Sequence, residues 1–143
     1  MDFHAIAKVT QDYKQACEQK SVLVEYLLRL IDNSNGKLGI ERVKPTEGIK
    51  MLDCELKFLH RPVFNPKNDD CYCALDVVFT KEKDVDIIIS TFYVHQYGFV
   101  FIKNADEYES WLTDREMDLL SDATVRDKLL SPIVSALLKH LEN

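Results

Sequence analysis

Asp53, Glu55 and Lys57 stand at every second position of an alternating segment. Carboxylates at that spacing share one face of a strand. There they can hold a divalent cation while the lysine steadies a water nucleophile, as in metal-dependent hydrolases and nucleases. Their neighbours Leu52, Cys54, Leu56 and Phe58 supply an apolar opposite face, so the same three residues also read as the solvent side of a half-buried strand. A nuclease core of that kind needs a helix after its third strand, where this sequence continues with another strand pattern.

Cys71 and Cys73 offer two thiolates on one face, and Cys54, His60 or His95 could complete a tetrahedral zinc set across strands. No second cysteine or histidine pair stands at ligand spacing, and Leu75, Val77 and Phe79 continue the same stripe. Buried, reduced core thiols are the expectation. A thiolate nucleophile needs a basic or cationic neighbour, and the sequence places none beside either cysteine. His4 and His140 fall in terminal helices, while His60 and His95 fall at strand ends, where histidines usually serve turns. The four glycines are scattered, so no loop cradles a phosphate, and no nucleophile elbow or H-E-x-x-H helix occurs. No cofactor and no metal are expected.

Two features favour binding over catalysis. His60-Arg61-Pro62-Val63-Phe64-Asn65-Pro66 reads as a loop that holds Val63 and Phe64 between prolines, whose restricted backbone lowers the entropy lost on docking. Phe64 folded back over the core is the plainer alternative. The second feature is charge. The chain carries a net −6; residues 37–103 hold ten acids and ten bases, whereas 104–143 hold nine acids against four bases. Asp114, Glu116 and Asp118 in that acidic segment would steer a basic partner. The same field repels nucleic acid. No apolar run approaches the roughly 18 residues that span a bilayer, and the start has no basic, apolar leader, so a cytoplasmic protein is expected.

The elements that position these groups follow from periodicity. From Phe3 to Ile31 apolar residues recur at steps of three and four without Gly or Pro, and Asp32-Asn33-Ser34-Asn35-Gly36 ends that helix near residue 32. Its second half is apolar around nearly the whole circumference, which predicts burial from more than one side. The heptad-like pattern also admits pairing in a homodimer, with packing on its own sheet the alternative. The period then becomes two: strands over 38–44, 49–58, 71–79, 85–94 and 99–102, the last two apolar on both faces and therefore covered on both. Asn104–Glu107 reads as a helix cap, with helical turns to the end, and Ser131-Pro132 restarts a final helix with Val134, Leu137, Leu138 and Leu141 in one stripe.

The expectation is a single α+β domain over 1–143: a long N-terminal helix (1–32), a five-stranded antiparallel meander (37–103) and a helical C-terminal segment (104–143). In function it reads as a non-enzymatic protein-binding module of the adaptor, inhibitor, immunity-protein or dedicated-chaperone type. The alternatives are a metal-dependent hydrolase using Asp53, Glu55 and Lys57, or a small-molecule binder with an apolar pocket between helix and sheet.

Overall fold

A computed structural model describes residues 1–102, 108–110 and 126–142. The chain is α+β. Helix α1 spans Phe3–Asn33, and strands β1 (Ile40–Val43), β2 (Gly48–Met51), β3 (Cys54–Asn65), β4 (Asp70–Glu82), β5 (Val85–Val94) and β6 (Phe99–Ile102) follow. A three-residue strand β7 (Tyr108–Ser110) comes next, and helix α2 (Ser131–His140) closes the order behind a π-helical turn at Arg126–Leu130. The strands lie in sequence order in one sheet, each hydrogen-bonded to the next.

Six strands lie between Ile40 and Ile102, not five, because Leu52 and Asp53 form a turn inside the segment expected to be continuous. Both adopt left-handed backbone (φ 51° and 60°), closing a two-residue hairpin in which Met51 faces Cys54. Such hairpins usually carry Asn-Gly, and Leu-Asp gives no such signal. A further correction concerns residues 60–65, expected as a loop: β3 runs through them to Asn65, with Pro62 inside the strand. The helix expected to begin at Asn104 is also corrected at Tyr108–Ser110. Residues 104–107 lie outside the described residues, and Tyr108–Ser110 pairs with β6 as a strand.

Contacts divide the chain into two compact units. The first holds Met1–Leu23, His60–Leu75 and the described residues of Thr91–Leu119. Its core joins Ala16 and Leu23 of α1 to Tyr72, Cys73 and Ala74 of β4 and to Phe92, Val94, Val100 and Phe101. The second unit holds Val24–Leu59, Asp76–Ser90 and the described residues of Leu120–Asn143. Here Val24, Leu27, Leu28, Leu30 and Ile31 are all buried, as the all-round apolar character of that helical stretch predicts. Asn35 and Gly36 take left-handed backbone directly after α1 and end it where expected. Gly48 is required by space: a Cβ there would meet the Leu56 carbonyl oxygen at 3.0 Å.

Burial corrects two expectations. The strand covered throughout is β4, whose residues from Cys71 to Phe79 are all buried, whereas β5 leaves Val85 and Ile88 exposed. In α2 the buried residues are Ile133 and Leu137, following Leu129 and Leu130, while Leu138 and Leu141 are exposed. The π-helical turn enters α2 without a break and sets its rotation, so the stripe is about one position out of the phase read from Pro132 alone.

Candidate functional site

The first unit carries two buried clusters of chemically competent side chains and one open strand edge. His95 directly follows β5, and Gly98, with φ 88°, turns the chain so that the His95 N–H donates to the Phe99 carbonyl at 2.8 Å. The imidazole Nε2 lies 2.9 Å from Asp70 Oδ2 at the start of β4, and the Tyr97 backbone N–H donates to Nδ1 at 3.2 Å. Because Nδ1 accepts, the ring proton sits on Nε2 and is donated to Asp70. Lys8 of α1 completes the group, 2.7 Å from Asp12 and 3.5 Å from Asp70, and it also donates to the Asp69 carbonyl. The hydrogen bond that Lys8 donates to Asp12, with the charges of the Asp12 and Asp70 carboxylates, raises the Lys8 ammonium pKa above its ordinary value.

An aspartate beside a histidine resembles two members of a hydrolytic triad, but here the chemistry closes on itself. One ring nitrogen serves Asp70 and the other a backbone amide, so neither is left to take a proton from a nucleophile. The rings of Tyr72, Tyr97 and Phe99 lie within 5.6 Å of the imidazole, centre to centre. Tyr72 OH accepts from both Asn65 and Asn68, which ties the β3–β4 turn to the same group. The structure thus assembles Lys8, Asp12, Asp70, Tyr72 and His95 from three distant segments. Of these the sequence reading singled out only His95; the i, i+4 spacing of Lys8 and Asp12 is the signal that could have found that pair.

The second cluster is the thiols. Cys71 and Cys73 are buried; Cys17 is half-buried and acts on both, and on Tyr13. Burial first, and the neighbouring thiol second, push Cys73 up to about 12. Burial also raises Cys71, although the Val63 backbone amide partly offsets it, and burial raises the Tyr13 phenol. The raised Cys71 and Cys73 thiols therefore stay protonated at neutral pH, which disfavours a nucleophilic role for either. His60 is exposed on β3, and Cys54 donates its thiol to the Leu52 carbonyl in the second unit. Among the described residues, no group of three or more His, Cys, Asp or Glu side chains is placed to hold a metal ion.

The three strand residues that suggested a hydrolase are also placed. Asp53 is in the hairpin turn, Glu55 sits opposite Lys50 across the β2–β3 ladder, and Lys57 lies 4.0 Å from Asp86. Asp86 in turn accepts from Thr80 at 3.0 Å. Each carboxylate has a local structural setting of its own.

The strand edge is the remaining feature. On one side β3 is bonded to β4; on the other, β2 reaches only Cys54–Leu56. Among the described residues nothing pairs with His60–Asn65 on that second side. His60, Arg61, Pro62 and Phe64 are exposed and Val63 is half-buried, with Phe64 at 42%. In a two-residue hairpin the flanking residues exchange hydrogen bonds, so Cys54 and Leu56 aim their backbone groups towards β2. Alternation carries that direction to His60, Pro62 and Phe64. Two observations agree. Proline is tolerated within a strand where its missing N–H would face the unpaired side, and the amide of the odd-numbered Val63 is turned to the side-chain thiol of Cys71 in β4. Arg61, Val63 and Phe64, expected as a binding loop, thus form an ordered strand edge. Asp114, Glu116 and Asp118 lie outside the described residues. No family model, no curated protein and no solved structure matches the chain.

Proposed function

We propose that this protein is a non-enzymatic protein-binding module, of the adaptor or inhibitor kind, that takes an extended segment of a partner chain along the edge of β3. The observation that carries this reading is the His60–Asn65 edge, beside which no strand lies on the β2 side among the described residues, with Phe64 exposed next to it. Such an edge presents backbone donors and acceptors that an added strand satisfies, and an adjacent aromatic supplies a side-chain anchor. The buried histidine and thiols do not compete as a catalytic reading, since their polar atoms are already committed within the fold or held protonated. The overall charge of −6 would speed the approach of a partner that is basic as a whole, an effect on rate that fades with salt.

Affinity capture with the full chain, followed by Phe64→Ala on the captured pair, tests the reading. A stoichiometric protein partner should bind the variant more weakly by about 2 kcal/mol or more, through faster dissociation. A partner held with unchanged affinity would show that Phe64 is a bystander. A second reading, small-molecule binding, has one feature in its favour. An open cleft of about 380 Å³ lies against Ile89 of β5, lined by Ala136, Lys139 and His140 of α2. Its openness and two basic rim residues suit a small anion better than an apolar ligand.

A further inference from the structure

We propose that Asn35 is a site of self-modification, converted to isoaspartate and aspartate through attack by the Gly36 backbone nitrogen on its side-chain amide. An asparagine followed by glycine brings a carboxamide next to an amide nitrogen that no side chain shields, so the attack is intramolecular and unhindered. The fold decides whether it can happen. Of the six asparagines, Asn33, Asn35, Asn65 and Asn68 lie among the described residues, and their surroundings differ. Asn33 is followed by Ser34, whose N–H is held by the Leu30 and Ile31 carbonyls at 3.1 and 3.2 Å, so the nitrogen that would attack is committed to the end of α1. Asn65 precedes Pro66, which has no N–H to give up, and its own side chain bonds Tyr72 OH and the Lys67 N–H. Asn68 is tied at both ends of its carboxamide, donating to Tyr72 OH at 3.0 Å and accepting from the Asp70 N–H at 3.1 Å.

Asn35 is held in neither way. It is exposed, and among the described residues its carboxamide makes no hydrogen bond, the Gly36 N–H donates to nothing, and a Cβ on Gly36 would meet nothing within 4 Å. Both residues stand in left-handed backbone, φ 51° and 80°, and the peptide plane between them must turn to bring the Gly36 nitrogen to Asn35 Cγ. Turning it breaks no hydrogen bond among the described residues, because the Asn35 carbonyl accepts none there. The planes on either side stay fixed meanwhile: the Lys37 N–H donates to the Ser34 carbonyl at 3.0 Å and the Gly39 N–H to the Gly36 carbonyl at 3.1 Å. In the reaction the Gly36 nitrogen gives up its proton and bonds to Asn35 Cγ, and the carboxamide C–N bond breaks as ammonia leaves with that proton. Water then opens the succinimide. Opening at Cγ leaves aspartate, and opening at the former backbone carbonyl leaves isoaspartate, with the chain running through Cβ and Cγ. Either product puts a carboxylate just beyond the C-terminus of α1, where the helix dipole disfavours negative charge. Isoaspartate also lengthens the backbone of the turn that leads into β1.

The test is to incubate the full chain, folded and held unfolded in urea, at neutral and at mildly alkaline pH. Fragmentation mass spectrometry that separates isoaspartate from aspartate then reads each asparagine. In the folded chain Asn35 should convert at a rate within about tenfold of that in urea, and faster at the higher pH, because the attacking nitrogen must shed its proton. Asn33 and Asn68 should convert measurably only in urea. A folded-state rate at Asn35 more than about tenfold below that in urea would show that the left-handed turn locks the site, and would overturn the proposal. Conversion of Asn33 or Asn68 in the folded chain as fast as that of Asn35 would overturn the selection argued from their hydrogen bonds. Aged protein should also show a lower Tm than fresh protein, whereas Asn35→Gln, which moves the carboxamide out of reach of the Gly36 nitrogen, should keep its Tm over the same interval. Equal loss in both would overturn the assignment of that weakening to Asn35.

Discussion

His95 has the composition of a catalytic residue and the wiring of a structural one. Its Nδ1 accepts from the Tyr97 amide and its Nε2 donates to Asp70, so nitrogen chemical shifts should report a single tautomer protonated on Nε2. His95→Phe preserves the ring packing but strips Asp70 of a donor and leaves the Tyr97 amide unpaired. Denaturant unfolding should show a loss of about 1–3 kcal/mol. A loss below about 0.5 kcal/mol would mean that solvent already satisfies Asp70. The thiols make a second residue-scale argument. Cys73 binds its proton more tightly in the fold than in the unfolded chain, because burial raises it from 9.0 to about 12. Its contribution to stability is therefore complete below the ordinary thiol pKa and drains away as pH rises from about 9 towards 12. Cys73→Ala should flatten the alkaline limb of a stability–pH curve at the cost of a small cavity, and a limb of unchanged slope would locate the titration elsewhere. Burial of Cys71 and Cys73 was legible from the stripe Leu75, Val77 and Phe79. Their link to Cys17 and Tyr13 was not, since a helix face and a strand face meet through tertiary packing that periodicity does not encode.

At the scale of elements, long periodic segments were legible and their interruptions were not. Helix α1 and strands β5 and β6 fall where periodicity puts them, to within about two residues. The β2–β3 turn was hidden because Leu52 and Asp53 are poor left-handed residues whose side chains continue the alternation on either side. That mismatch makes a stability prediction. Replacing Leu52 by Asn and Asp53 by Gly supplies the residues that positive φ favours and should stabilise the protein by about 1 kcal/mol, read as a raised Tm. A lowered Tm would mean that the Leu52 side chain packs on a neighbour despite its exposure. Strand β3 was mistaken for a loop beyond residue 59 because two prolines and an asparagine are read as breakers. A proline breaks a strand only when its nitrogen faces a paired neighbour. The same logic separates two adjacent substitutions. His60→Pro loses an edge-facing amide and should unfold within about 1 kcal/mol of the parent. Arg61→Pro loses an amide bonded to β4 and should cost about 3 kcal/mol or more. Equal costs would mean that the hydrogen-bonding alternation along β3 is interrupted.

For the whole molecule, two-sided burial was expected along Val85–Val94 and Phe99–Ile102; it holds at Val100 and Phe101 of β6 but not along β5, and the reason is positional. Val85–Val94 is as apolar as β4, but sheet order decides coverage, and β4 has three strands on either side of it. Composition reports what a strand can bury, whereas neighbours determine what it does bury. The proposed docking edge was invisible for the same reason, since it consists of backbone groups that β2, pairing only with Cys54–Leu56, does not reach among the described residues. No residue type marks such a vacancy. Hydrogen exchange measures this distribution directly, because amides that open only on global unfolding are those whose bonds and side chains are both covered. The Cys71–Phe79 amides, paired on both sides and attached to buried side chains, should exchange slowest and share one opening free energy. The first turns of α1 expose Phe3 and Ile6 and should exchange by local fraying, orders of magnitude faster. In β3 the two classes should alternate: Arg61 and Val63, bonded to β4, protected; His60 and Phe64, facing the open edge, near the unprotected rate. Uniform protection from His60 to Phe64 in the isolated chain would show that something already occupies the edge, and the proposal of strand docking there would fail.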